Sequence, residues 1–300
     1  MAQQNRKGRT LQKQWIKNEL KGVAFIAPFL IIFIVFLLWP VVEGVYVSLH
    51  KWTIFGKVEF TGLENYIKTF RSEDFYRYLW NSIFYVLIST PIIILLGLGL
   101  ALLVNAKIKC RTLVRAAYFL PYVLSVSVVS FIWLKIYDSN RGLLNVILET
   151  FHMGKVNWLT DEHMAWWSIV ITSVWWGVGF VMVLYLSALQ DISEVYYEAA
   201  GLDGASTLQK FWYITLPSLK NITIVQIFFQ VIAGLKLFGQ PQMMTKGGPG
   251  DTTKTMIMHI YNTGFKKDMF GEAAAMSVLY AVLMLLFVVI QNKATEGGEN

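Results

Sequence analysis

Six stretches of the chain stay apolar for longer than a soluble helix ordinarily does: 23–42, 82–104, 116–134, 165–189, 222–235 and 273–290. A helix needs ~20 residues to cross a hydrocarbon core of ~30 Å. The first run reaches that length without one charged residue. The fifth is short, carries Gln226 and Gln230, and ends among Gly234, Lys236 and Gly239. The pattern predicts an all-α, polytopic membrane protein with six transmembrane helices. The first run exceeds the ~7–15 residues of a secretory h-region and has no small-x-small site after it, so it reads as a retained span.

Charge orients the runs, because Lys and Arg in short loops are retained in the cytoplasm. Arg6, Lys7, Arg9, Lys13, Lys17 and Lys21 crowd the N-terminal tail, and Lys107, Lys109, Arg111 and Arg115 crowd the link between runs two and three. Both segments are expected inside. Residues 43–79 balance five basic against five acidic side chains, and 135–163 hold three against four, so these loops are expected outside. Six crossings return the C-terminus to the cytoplasm. The expected organisation is a basic cytoplasmic tail (1–22), a six-helix permease domain (23–290) with a cytoplasmic loop at 191–217, and a short cytoplasmic tail (291–300).

Composition agrees: 55% of residues are hydrophobic and 15% charged, against about 25% charged in average globular chains. Cys110 is the one cysteine, so no intrachain disulfide or multi-cysteine metal cluster can form. The net charge of +7 sits largely in the orienting segments and is no sign of nucleic acid.

One cytoplasmic link breaks the rule. Residues 190–220 carry Lys210 and Lys220 against Asp191, Glu194, Glu198 and Asp203. The segment reads as two short amphipathic helices. Asp191 with Glu194 suggests an N-terminal cap and Gly201 a stop. Ile192, Val195, Tyr196 and Ala199 share one stripe, opposite the acids. Ser206 and Gln209 then cap a second helix, which Leu216-Pro217 is expected to close. Helices lying on an anionic leaflet are normally basic. An acidic face there is better matched by a basic or mixed protein partner than by lipid headgroups.

Glu198-Ala199-Ala200, Gly204 after three residues, and Ile214-x-Leu216-Pro217 after nine more resemble the EAA loop of binding-protein-dependent ABC importer permeases. Weaker likenesses point to the carbohydrate-uptake subgroup: Gly62-Leu63-Glu64-Asn65-Tyr66, Phe119-Leu120-Pro121, Gly142-Leu143-Leu144-Asn145, Thr245-x-Gly247-Gly248-Pro249 with Thr252, and Gly271-x-Ala273-Ala274-Ala275. A second Glu-Ala-Ala at 272–274 lacks the downstream glycine and Leu-Pro and reads as helix packing. The chain lacks the extra N-terminal helices and large insertion of the maltose importer's larger subunit, and is similar to the short six-helix type, usually half of a heterodimer.

The resemblance implies that Glu198, Ala199, Ala200, Gly201, Asp203, Gly204, Leu216 and Pro217 form a coupling helix and loop that dock on a cytoplasmic ATPase. It implies three partners: a second homologous permease, a dimer of ATP-binding subunits, and an extracellular or periplasmic sugar-binding protein. The expected location is the cytoplasmic membrane of a bacterium or archaeon, with lipid around the chain. ATP and Mg²⁺ would be bound by the ATPase, with no cofactor or metal in this chain.

No catalytic constellation is visible, so the chain is not read as an enzyme. Lys254-Thr255 follows a glycine-rich stretch, but a phosphate loop needs Gly directly before the Lys, and Thr253 stands there. His50, His152, His163 and His259 fall in outer loops without metal-ligand spacing and read as solvated or interfacial. Trp39, Trp52, Trp80, Trp133, Trp166 and Trp167 lie near run boundaries, where an aromatic belt accounts for most of them.

For a substrate path, polar groups at bilayer depth are the pointers. Gln226 and Gln230 lie four apart on one face, where they can bond sugar hydroxyls or a neighbouring helix; both readings stand. Trp175 and Trp176, in mid-run, can stack on sugar rings or pack between helices. Lys236 is placed near the outer end, where it would suit a phosphate, so an importer of glycerol phosphate or another polar solute is an alternative cargo reading. A stand-alone secondary transporter and a membrane scaffold are alternatives of other classes. Neither of these would co-purify with an ATPase.

Overall fold

The computed structural model describes residues 23, 25–106 and 111–296; the basic tail and Lys107, Lys109 and Cys110 lie outside the described residues. The chain divides into two compact units, one holding the described residues through Thr69 with Thr263–Val278, the other Phe70–Asn262 and the chain from Leu279 on.

In the smaller unit, α1 spans Phe25–Ser48 and its apolar window is wholly uncovered by protein, as a lipid-facing helix requires. A wide π-turn at Ile34–Leu38 precedes Pro40, which supplies no backbone donor. Strands β1 (His50–Thr53) and β2 (Gly56–Phe60) form an antiparallel hairpin with a bulge between Lys51 and Trp52. Helix α2 (Glu64–Arg71) follows. Buried Asn65 holds these pieces together, its amide donating to the carbonyls of Ser48 at 2.8 Å and His50 at 2.9 Å. The Tyr66 hydroxyl meets Ser48 Oγ at 2.6 Å. Gly271 must lack a side chain, because a Cβ there would run into the His50 carbonyl. The expectation of a solvated His50 is therefore corrected. The ring is 3% exposed, its Nδ1–H donates to Tyr46 O at 2.7 Å, and it packs against Phe60.

The larger unit is built on α3 (Glu73–Asn105) and α7 (Glu162–Asp191), which pack along one another. At 1.5 Å per residue, the 33 residues of α3 extend about 50 Å, well beyond a ~30 Å core. Two glycines let the helices approach: a Cβ on Gly97 would meet Val181, and one on Gly177 would stand 2.9 Å from Ile93. Tyr185, Val181, Met182 and Leu186 are buried along this seam.

The third apolar run does not form the straight span expected. It breaks into α4 (Arg111–Val123) and α5 (Val126–Ile136), whose axes turn by 100°. Ser125 is the cause: its backbone is extended (φ −68°, ψ 152°) and its hydroxyl caps α5 by accepting from Val128 N. Among the described residues, five helices are long and apolar enough to cross a membrane, and six if the bent pair counts as one.

Helix α6 (Leu143–Thr150) precedes α7. The acidic link supplies α8 (Glu194–Leu202) and α9 (Thr207–Lys210). Next come α10 (Lys220–Leu235), α11 (Gly239–Met244) and α12 (Met256–Tyr261). The last helix, α13 (Phe270–Glu296), contributes to both units and outlasts the sixth apolar run. Of the second Glu-Ala-Ala, read as helix packing, Ala273 is buried and Ala274 half-buried.

Trp133 and Trp166 depart from the belt. Both are buried, Trp166 donating its indole N–H to Thr252 O at 2.9 Å. His259 is buried too, its ring tilted against that of Tyr78 with centroids 4.7 Å apart.

Candidate functional site

The acidic link folds as two short helices, with three departures from the sequence expectation. Asp191 ends α7 and does not cap α8; that position belongs to Ser193. Gly201 does not stop α8, which runs through it to Leu202. The stop is Gly204, whose φ of +79° lies in the left-handed region. It permits a paired closure in which Ala205 N donates to Ala200 O at 2.9 Å and Gly204 N to Gly201 O at 3.1 Å. Third, Pro217 does not end the second helix. The backbone widens into a π-turn over Phe211–Thr215, continues through Leu216–Ser218, and breaks at Leu219. The wide turn shifts the ladder just where proline offers no N–H.

The capping box holds as read: Ser206 Oγ accepts from Gln209 N at 3.3 Å, and Gln209 Oε1 accepts from Ser206 N at 2.7 Å. Helix α8 buries no residue, including Val195 and Tyr196 of the expected apolar stripe. Tyr197 turns toward the chain instead, its hydroxyl 2.9 Å from Thr215 Oγ1. Leu202 is 91% exposed, and Tyr213, Leu208 and Trp212 are also uncovered. Glu198, Ala199 and Asp203 lie on exposed positions of this segment, and Ala200 is half-buried. The result is a preformed, capped helix pair presenting apolar and acidic groups outward.

Within the larger unit, α3, the α4–α5 bend, α7 and the end of α10 enclose a cavity of about 660 Å³. Three of the five residues read as a substrate path line it: Trp176, Gln230 and Lys236. The other two do not. Trp175 packs edge-on against Trp133, their centroids 5.7 Å apart. Gln226 is 1% exposed, and neither atom of its amide has a partner among the described residues. A four-residue step along α10 is 40° beyond a full turn, enough to separate the two glutamines: Gln230 reaches the cavity and Gln226 the packed interior.

The bend builds one wall. It frees the Leu124 carbonyl from a helical ladder, and the Trp176 indole N–H donates to it at 3.1 Å. Tyr122 stacks on Phe180 at 4.7 Å and an interplanar angle of 14°. A Cβ on Gly179 would run into the Tyr118 carbonyl, so this glycine sets the α4–α7 spacing. The sequence reading missed Tyr85 and Ser89, which also line the cavity. Their signal was available: two polar groups four apart inside an apolar run, the same pattern that singled out the glutamines.

Other motif residues serve the frame. Asn145 makes four bonds, donating to Ser139 O and Val156 O and accepting from Val156 N and the Trp158 indole. The glycine-rich stretch after Thr245 is an anchored turn, with Arg77 donating to Gly250 O at 2.7 Å, Tyr78 to Asp251 at 2.9 Å and Asn81 to Lys254 O at 2.9 Å. Lys254 lies 3.2 Å from Asp251 and over the Tyr78 ring. Burial raises the Asp251 pKa, but the Tyr78 hydroxyl and the Lys254 ammonium overcome it, and the net shift is downward.

Comparison with known proteins places this geometry. Residues 66–294 match the model of the family described as binding-protein-dependent transport system inner membrane component. The chain is 33% identical over 273 residues to the trehalose/maltose transport system permease protein MalF of Thermococcus litoralis, covering 91% of this chain and 92% of that one. It is 30% identical over 272 residues to the arabinooligosaccharides transport system permease protein AraP of Bacillus subtilis, covering 90% and 86%. A chain of a bacterial alginate ABC transporter, solved with an alginate pentasaccharide-bound periplasmic protein, shares the fold at a TM-score of 0.82 and 23% identity, over 93% of this chain and 95% of that one. With several long apolar helices around an internal cavity, and a family match over most of its length, this chain belongs to the multi-pass inner membrane permease components of binding-protein-dependent ABC transport systems.

Proposed function

We propose that the chain is the translocating half of an ATP-driven importer for a saccharide delivered by an external binding protein. One observation carries the reading: a capped, exposed helix pair with the EAA spacing stands in the same chain as a cavity between long apolar helices, lined by aromatic and amide groups. Apolar walls with a few placed polar groups suit a sugar, whose C–H faces stack on aromatic rings while its hydroxyls take hydrogen bonds. The transport names of the two relatives support a saccharide cargo.

Further parts are a second permease subunit completing the path and a cytoplasmic ATPase dimer binding ATP and Mg²⁺. Closure of that dimer would press on Glu198 to Gly204, the exposed α8 that ends in the paired closure at Gly204. A rigid, capped helix transmits such a displacement better than a loop does, because its backbone hydrogen bonds are already satisfied. Gln230 and Trp176 are assigned to cargo contact, while Gln226 and Trp175 serve packing. The termini face the cytoplasm on this reading.

The test is uptake in cells carrying Gly204→Asp or Glu198→Lys. Both variants should reach the membrane at normal levels and import poorly. Full uptake by both would remove the coupling role. Pull-down in gentle detergent should recover an ATPase and a second six-helix permease, and recovery of neither would overturn the importer reading.

A further inference from the structure

Gln226 has surroundings that do not match its chemistry. The residue is 1% exposed, and neither the oxygen nor the nitrogen of its amide has a hydrogen-bond partner among the described residues. A buried amide left unpaired is costly. Both atoms are enclosed by this chain alone, so no second subunit reaches them while α10 keeps this position. The polar side chains of α10 are not scattered. Between Ile222 and Leu235 they are Thr223, Gln226 and Gln230. At about 100° per residue these three fall within a sector of about 60°. Phe229, Gln230, Ala233 and Gly234 line the chamber. The step that parts Gln226 from Gln230 carries it about 6 Å along the axis, toward the acidic link, and leaves it next on that side of the helix. Thr223 follows, its hydroxyl oxygen accepting from Tyr185 at 2.9 Å. One of these polar groups lines the chamber and another is bonded, while the middle one is enclosed without a partner.

A run of hydrogen bonds joins α10 to the exposed helix pair. The Tyr197 hydroxyl of α8 lies 2.9 Å from Thr215 Oγ1, Leu219 N donates to Thr215 O at 3.1 Å, and Thr223 Oγ1 donates to Leu219 O at 2.9 Å. A displacement of α8 therefore has a connected route to the first turns of α10. We infer that Gln226 is a second cargo contact, one turn beyond the chamber. When α10 shifts, the space that ends at Gln230 extends along the polar stripe, and the Gln226 amide takes up sugar hydroxyls released from Gln230. This rests on the translocation reading above and names a further residue of that path; the packing seen here is the arrangement in which the contact is closed. The unpaired amide serves such a switch in both arrangements. It weakens the closed packing, where an apolar residue would hold α10 more firmly, and it offers a hydrogen-bonding group once the packing opens.

In the assembled importer, in lipid nanodiscs, Gln226→Cys and Val231→Cys are introduced singly into a Cys110→Ser chain, since Cys110 is its one cysteine. Val231 is 7% exposed and turned about 140° from Gln226. Modification by methanethiosulfonate ethylsulfonate, a small water-soluble reagent, is read by mass spectrometry without nucleotide, with ATP lacking Mg²⁺, and during turnover. Gln226→Cys should pass from protected to reactive, its rate rising about tenfold or more in one of these states, while Val231→Cys stays protected in all. An unvarying rate at Gln226→Cys, or an equal rise at Val231→Cys, would overturn the inference. Gln226→Met keeps the shape of the side chain and removes its hydrogen bonds. It should leave the thermal midpoint unchanged or raised, and slow uptake about fivefold at normal membrane level, the loss of one neutral hydrogen bond. Uptake is measured in cells with a panel of labelled mono-, di- and trisaccharides, maltose, trehalose and arabinotriose among them. A lowered midpoint with uptake unchanged is the outcome of a purely structural role and overturns the inference, as does unchanged uptake alone. Import of no member of the panel by the unmutated protein would remove the saccharide reading, and this inference with it.

Discussion

Gly201 and Gly204 stand three residues apart in one turn, and their substitutions should behave differently. At Gly204 a Cβ meets nothing, but the φ of +79° is one that L-residues adopt at a cost, roughly 1–2 kcal/mol. Gly204→Ala should distort the closure at Ala200 and Gly201 and reduce uptake severalfold at unchanged membrane levels. At Gly201 the Cβ would stand 3.1 Å from Lys210 Nζ, the far end of a flexible side chain. Gly201→Ala should import like the unmutated protein. Equal uptake by the two variants would show that the left-handed glycine does not matter. Asn145→Ala removes a buried amide that satisfies two carbonyls, one backbone N–H and an indole. Stranding these groups should cost about 2–3 kcal/mol, measured as a lowered thermal midpoint.

At the scale of elements, the turn after Thr245 is tied to α3 by Arg77, Tyr78 and Asn81. Asp251 has a pKa lowered in the folded state. Its stabilisation is thus present above the ordinary Asp value of ~3.9 and is lost as pH falls through the lowered value. The difference in thermal midpoint between the unmutated protein and Asp251→Asn should shrink on acidification from about pH 5 to about pH 3. A difference that grows instead would contradict the anchoring role. The α4–α7 contact has a sharper requirement, because a Cβ on Gly179 collides with backbone, the Tyr118 carbonyl, which cannot rotate away. Gly179→Leu should shift α4, disturb the cavity wall that α4 helps form, and lower both membrane level and uptake.

At the scale of the whole molecule, α1 leaves its apolar window uncovered while α7 buries most of its own. Both runs look alike as strings of apolar residues, since lipid and protein interior select the same side chains. Trp176 and Trp175 pose the same problem over one residue. Trp176→Ala should lose the bond to Leu124 and part of the cavity wall, reducing uptake with the assembly intact. Trp175→Ala should leave uptake near normal. Reversal of that pair would move the path to the other face of α7.

The long apolar runs, the two basic clusters and the EAA spacing were legible along the chain, because each depends on residues near one another in sequence. So was the capping box of Ser206 and Gln209, a local exchange of hydrogen bonds. The break at Ser125 was not, since an apolar run hides a residue whose extended backbone turns the helix by 100°. Nor could periodicity tell Gln226 from Gln230 or Trp175 from Trp176. Which of each pair faces a cavity depends on where α3, α4 and α7 stand, and those positions are set by contacts between distant residues such as Gly179 and Tyr118. The sequence by itself determined that this is a membrane protein, and it carries the EAA spacing on which the proposed docking rests. Only the tertiary structure decided which side chains share the chamber.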